Sequence, residues 1–220
     1  MQSFYDAQKG INKIFTSVIL RMISLALATI ANMIIILTDN QNITSLFFGT
    51  LVALVSVILL IISFFFNLIG LRKGSKDEGN LRSAFTACVF GIVISIISAL
   101  LKVIPSIKDS PFVKSFSHVT STVSSIIEVL VIILVCLGVS NLLHIREEET
   151  LANRGNSAAT VSALAYSFSI ICQLIVSITS EGDFISDTIG VVLSLTSLVL
   201  GIVAYVRYFI FLYKSRNKLA

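Results

Sequence analysis

Charge is scarce in this 220-residue chain: Asp, Glu, Lys and Arg make up 13% of it, where a soluble domain carries about 25%. With a hydrophobic fraction of 55% and a mean hydropathy of +0.96, that scarcity excludes an ordinary soluble globular domain. A soluble bundle needs a polar face on every helix, and the helical stretches here are apolar nearly all round. Proline occurs twice, at Pro105 and Pro111; together they bracket one short segment that cannot continue a helix cleanly. The three cysteines, Cys88, Cys136 and Cys172, fall inside apolar runs. They form no CxxC and are not placed for an external disulfide, so they read as small apolar residues.

Catalytic chemistry is also missing. No Walker loop, GxGxxG, HExxH or Gly-x-Ser-x-Gly elbow is present. Serines are frequent in the apolar runs, but no histidine lies at depth to serve as their base, which argues against an intramembrane serine hydrolase. His118 and His144 stand alone, and a metal site needs several ligands at definite spacing. No basic cluster interleaved with aromatics suggests nucleic acid. Asn42-Ile43-Thr44 matches a glycosylation sequon, but it abuts an apolar run in a very short turn and reads as accidental. The chain is expected to be neither an enzyme nor a holder of any cofactor or metal.

What is present is a series of six apolar runs. A spanning helix needs roughly 20 such residues to cross about 30 Å of hydrocarbon. The spans are expected at about Ile14–Leu37, Ile43–Leu71, Ser83–Ile104, Val119–Leu143, Ser157–Ile178 and Phe184–Tyr213. Asp39-Asn40-Gln41-Asn42 and Glu181-Gly182-Asp183 are polar turns between them. The expected fold is all-α: one polytopic transmembrane domain over residues 1–220, with six helices arranged as three consecutive hairpins. The second and sixth spans, near 29 residues or roughly 43 Å, exceed the hydrocarbon thickness and are expected to project beyond it.

Lys and Arg set the orientation. Lys9 and Lys13, then Arg72, Lys73, Lys76 and Arg82, then Arg146 and Arg154, then Arg207, Lys214, Arg216 and Lys218 all fall on one side. The other side holds Lys102, Lys108 and Lys114. The positive-inside rule places both termini in the cytoplasm. The first apolar run, at about 24 residues, is too long for a signal-peptide core. The segment from Met1 to Lys13 can lie along the inner interface as a short amphipathic stretch. His144 to Arg154 reads as a solvated helix extension, and as a place where a cytoplasmic partner can touch.

The three hairpins look like one motif repeated. Gly10-Ile11-Asn12-Lys13-Ile14-Phe15-Thr16, Gly79-Asn80-Leu81-Arg82-Ser83-Ala84-Phe85-Thr86 and Gly155-Asn156-Ser157 open the three units, and Asp39, Asp109 and Asp183 fall near their outer turns. Such units would be parallel repeats about an axis along the membrane normal.

Within the spans, small and weakly polar residues form stripes suited to close packing. These include Gly49, Ala53, Ser56, Ser63 and Asn67 on the second span and Ser117, Ser121, Ser124 and Glu128 on the fourth. On the first span Ser17, Arg21, Ala28 and Asn32 share a face. Charges at depth are expensive in hydrocarbon, so Glu128, roughly 13 Å below the outer surface, faces protein or water or is protonated. Arg21, roughly 10 Å from the inner surface, either snorkels to the phosphates or pairs with Glu128. Glu128, Arg21, Asn32 and Gln173 are the candidate intramembrane binding residues. Lys102, His118, Asp183 and Asp187 form a candidate polar outer rim.

The phrases Lys9–Thr16 and Lys76–Phe85 resemble cytoplasmic segments of small six-span membrane proteins of Gram-positive bacteria that carry no assigned function. The resemblance implies a bacterial cytoplasmic membrane and no activity. The polar residues in the spans point to a membrane-embedded binding or transport component for a small molecule, lipid or peptide. The alternatives are a non-transporting scaffold, immunity or regulatory subunit, and a homo-oligomeric channel. The expected partners are the lipid bilayer and a membrane or cytoplasmic protein.

Overall fold

The computed structural model of the chain describes residues 4–37, 43–103, 111–178 and 184–219. Among these residues it forms six α-helices and no strand: α1 (Tyr5–Leu37), α2 (Ile43–Gly74), α3 (Gly79–Val103), α4 (Pro111–Ile145), α5 (Glu149–Ile178) and α6 (Phe184–Lys218). Among the described residues, five of them, α1, α2, α3, α4 and α6, are long and apolar enough to cross a membrane.

Several helix ends lie beyond those expected from the apolar runs. Apolarity marks the part of a helix suited to hydrocarbon, whereas the backbone ladder continues until a cap or turn ends it. α3 ends at Val103 and α4 opens at Pro111, at the edge of the segment expected to break the helix; at the first helical position the missing proline N–H would have had no partner in any case. The stretch before Lys13 is not a separate interfacial segment. From Tyr5 onward it is the first turns of α1, with Ala7 and Ile11 fully buried.

The stretch from His144 to Arg154 is helical apart from a turn at Arg146–Glu148: His144 and Ile145 extend α4, and Glu149 to Arg154 extend α5. Glu148 N–H donates to Leu143 C=O at 3.0 Å and Glu147 N–H to His144 C=O at 3.0 Å, with Glu147 at φ 62°. This is a Schellman turn. It stops α4, and α5 begins at Glu149.

The helices form two compact units, Met1–Asp77 and Glu78–Ala220. The first is the α1–α2 hairpin, whose two helices meet along a seam of small residues spaced by sevens. Gly10, Ser17, Ser24 and Ala31 on α1 oppose Gly70, Ser63, Ser56 and Gly49 on α2. Ser24 Oγ donates to Ser56 C=O and Ser56 Oγ to Ser24 C=O, each at 2.9 Å. One heptad away, Ser63 Oγ donates to Ser17 C=O at 2.9 Å.

At the glycine end of the seam the two backbones touch: a Cβ added to Gly10 would lie 2.6 Å from Gly70 O. Hydrocarbon provides no hydrophobic drive between helices, so close contact and hydroxyl–carbonyl bonds hold such a pair. A polar clasp closes the basic end of this unit. Asp77 Oδ2 accepts from Ala7 N–H at 2.7 Å, capping α1, and Lys76 Nζ lies 3.2 Å from Asp6 Oδ2.

The second unit holds α3 to α6, with α4 in contact with α3, α5 and α6. Its basic end is pinned in several places. Glu78 accepts from Leu81 N–H at 2.7 Å, capping α3, and from Asn141 Nδ2 on α4 at 3.1 Å. Ser140 Oγ donates to Ala152 C=O, joining α4 to α5. Lys218 at the end of α6 pairs with Glu148 at 2.7 Å. Between these ties Val135, Cys136, Val139, Leu142 and Leu143 of α4 are fully buried.

Candidate functional site

The most informative polar residue within a spanning helix is Glu128, and its place follows from the helical period. Counting from it by three, four, seven, eleven and fourteen reaches Val131, Ile132, Val135, Val139 and Leu142, all buried. At about 100° per residue these positions make one stripe. The flanks of that stripe are assigned by contacts. On one side Thr120 Oγ1 donates to Ser98 Oγ of α3 at 3.0 Å, and Gly91 of α3 faces Ile127. On the other side Ser140 bonds to α5.

The stripe between those flanks is therefore the inward face of α4 within its unit. Glu128 belongs to that face, yet it is exposed. It stands where the stripe passes from packed apolar side chains to an open, more polar stretch, with Ser124 and Ser125 half-buried in the preceding turn. Two further hydroxyls of this unit, Ser162 Oγ on α5 and Ser197 Oγ on α6, are buried without a hydrogen-bond partner among the described residues. Buried hydroxyls of this kind are ordinarily satisfied by water or another polar group.

Of the remaining expected site residues, Arg21 and Asn32 have described side chains. Arg21 is half-buried and Asn32 exposed, both on α1 in the first unit. Eleven residues separate them, roughly 16 Å of helix rise, so they do not form one cluster. Lys102, His118, Gln173 and Asp187 occur on helices, but their side chains lie outside the described residues, as does Asp183 altogether.

The face expected for the first span is also revised. Ser17 is on the α1–α2 seam, but its companions are Gly10, Ser24 and Ala31, not Arg21, Ala28 and Asn32. The signal was a repeat of seven small residues apart, legible on both helices once paired. Among the described residues no group of three or more His, Cys, Asp and Glu could hold a metal ion. No family model, curated protein or solved structure matches the chain.

Proposed function

We propose that the chain is a non-enzymatic, multi-pass membrane protein acting as a binding or transport component for a small polar or amphiphilic molecule, with Glu128 in its path. One observation carries this reading: a carboxylate on the inward stripe of α4, exposed at the level where side-chain packing gives way. A charge at such a position is costly in lipid and is retained where it meets water or a ligand. The buried hydroxyls of Ser162 and Ser197, without a partner among the described residues, add polar groups to the interior of the same unit. Both chain ends lie in the cytoplasm in this reading, with the basic ends of the helices on that side.

Thiol labelling tests the aqueous path. On a background with the three native cysteines replaced by alanine, Glu128→Cys should react with a membrane-impermeant maleimide at least tenfold faster than Leu130→Cys, an exposed apolar position on the same helix. Equal, slow reaction at both positions would place Glu128 in lipid and reject the path. In the reconstituted wild-type protein, a pH-sensitive dye trapped in the liposomes should report proton movement that Glu128→Gln abolishes.

A second reading, a non-transporting scaffold or regulatory subunit, is favoured by Asn32. It is exposed on α1, away from the hairpin seam, where an amide can hydrogen-bond to a helix of another membrane protein. Stoichiometric co-purification of a partner, lost in Asn32→Leu, would support that role.

A further inference from the structure

We propose that the groove between α5 and α6 at the basic end of the second unit binds the phosphate headgroup of an anionic phospholipid. The groove has a volume of about 170 Å³, and its lining includes Arg154 and Ser157 from α5 and Arg207, Ile210, Phe211 and Lys214 from α6. No carboxylate is among its described lining residues. Elsewhere at the same end a cation has its counter-charge, as Lys218 has Glu148. Three cations sharing a groove without an acid repel one another until an anion enters, and phosphate meets that need with several acceptor oxygens.

The sequence builds the groove in steps. Arg207 and Lys214 are seven residues apart on α6 and so share a face, with roughly 10 Å of rise between them. Their long side chains can converge from above and below on one headgroup. Arg154 approaches from α5, where Gly155 lets the Phe211 ring lie flush: a Cβ on Gly155 would be 2.5 Å from Phe211 Cζ. The buried Phe211 ring and the exposed Ile210 side chain give the groove apolar surface beside its cations. The combination fits an amphiphile, with phosphate against the cations and glycerol and acyl carbons against the ring, better than a free inorganic anion. Basic clefts between helices at a membrane surface are suited to lipid headgroups. The site is separate from Glu128 and does not depend on any role for that residue.

The test uses the full chain purified in a neutral detergent. Phosphatidylglycerol should raise the thermal unfolding midpoint saturably by a few degrees, phosphatidylcholine should not, and the rise should shrink in 0.5 M NaCl. Arg154→Gln/Arg207→Gln/Lys214→Gln should abolish the rise, whereas Arg72→Gln/Lys73→Gln in the first unit should keep it. Single Arg154→Gln, at an exposed position, should weaken lipid affinity severalfold even if the triple variant folds poorly. Native mass spectrometry of the wild type should show phosphatidylglycerol retained in preference to phosphatidylcholine. An equal rise with inorganic phosphate would make this a soluble-anion site and overturn the proposal. So would an undiminished response in the variants, or equal retention of the two lipids.

Discussion

At the scale of single residues, the tightest constraint in the first unit is at Gly10. A Cβ there would lie 2.6 Å from Gly70 O and 2.8 Å from Gly74 N, and these are backbone atoms that cannot swing aside as a flexible side chain does. Gly10→Ala should force α1 and α2 apart and stretch the Ser17–Ser63 and Ser24–Ser56 bonds along the seam. We expect a loss of about 1–3 kcal/mol, the usual cost of overpacking, read from unfolding in SDS. Gly201→Ala is the matched control. Nothing lies within 4 Å of a Cβ at that position, so the better helix former should be neutral or stabilise by up to ~1 kcal/mol. Equal behaviour of the two variants would mean that the helices do not approach as closely as described.

At the scale of elements, the turn between α4 and α5 turns the chain with Glu147 at φ 62°, a left-handed conformation that costs a non-glycine residue roughly 1–2 kcal/mol. Glu147 is exposed, so Glu147→Gly should remove that strain with little loss of packing. A gain of about 0.5–1 kcal/mol in SDS unfolding is expected, and Glu147→Val, β-branched at positive φ, should lose stability. The turn also shows what the sequence withheld. Helix ends near Leu37, Ile43, Ile178 and Phe184 were legible because polar residues abut apolar runs there in the sequence. A reversal between the fourth and fifth spans was expected, but Arg146-Glu147-Glu148 carries no glycine or proline, so nothing local announced at which residues it falls. The seam residues Gly49, Ser56 and Ser63 were legible from their spacing. On α1, Arg21 and Asn32 drew attention because they are polar, although the seam selects for small size and takes Gly10, Ser24 and Ala31. Glu128 was legible as an anomaly in an apolar run. Its relation to the buried stripe below it needed the contacts of α4 with α3 and α5.

At the scale of the whole molecule, the proposed topology requires α5 to cross the membrane together with the other five helices. Its packing is what supports that reading. Leu151, Ala152, Ala158, Ala159, Ser162, Ala165 and Cys172 are buried along it, so one face stays engaged over about 30 Å of rise, the thickness of the hydrocarbon. A helix lying on the surface could not follow the spanning α4 and α6 for that distance. Its polar residues are mostly hydroxyls that can bond back to the preceding turn, as Thr160 Oγ1 does to Asn156 C=O at 3.0 Å, which lowers their cost in lipid. Six crossings return the chain to its starting side, and five leave its ends on opposite sides. A C-terminal green fluorescent protein fusion should therefore fluoresce in a bacterial host while a C-terminal alkaline phosphatase fusion stays inactive, and an N-terminal epitope should be reached only after permeabilisation. Truncation of the phosphatase fusion after Glu181, between α5 and α6 in the sequence, should activate the enzyme. An active phosphatase fused after Ala220 combined with an internal N-terminus would take α5 out of the membrane and invert the side assigned to α6.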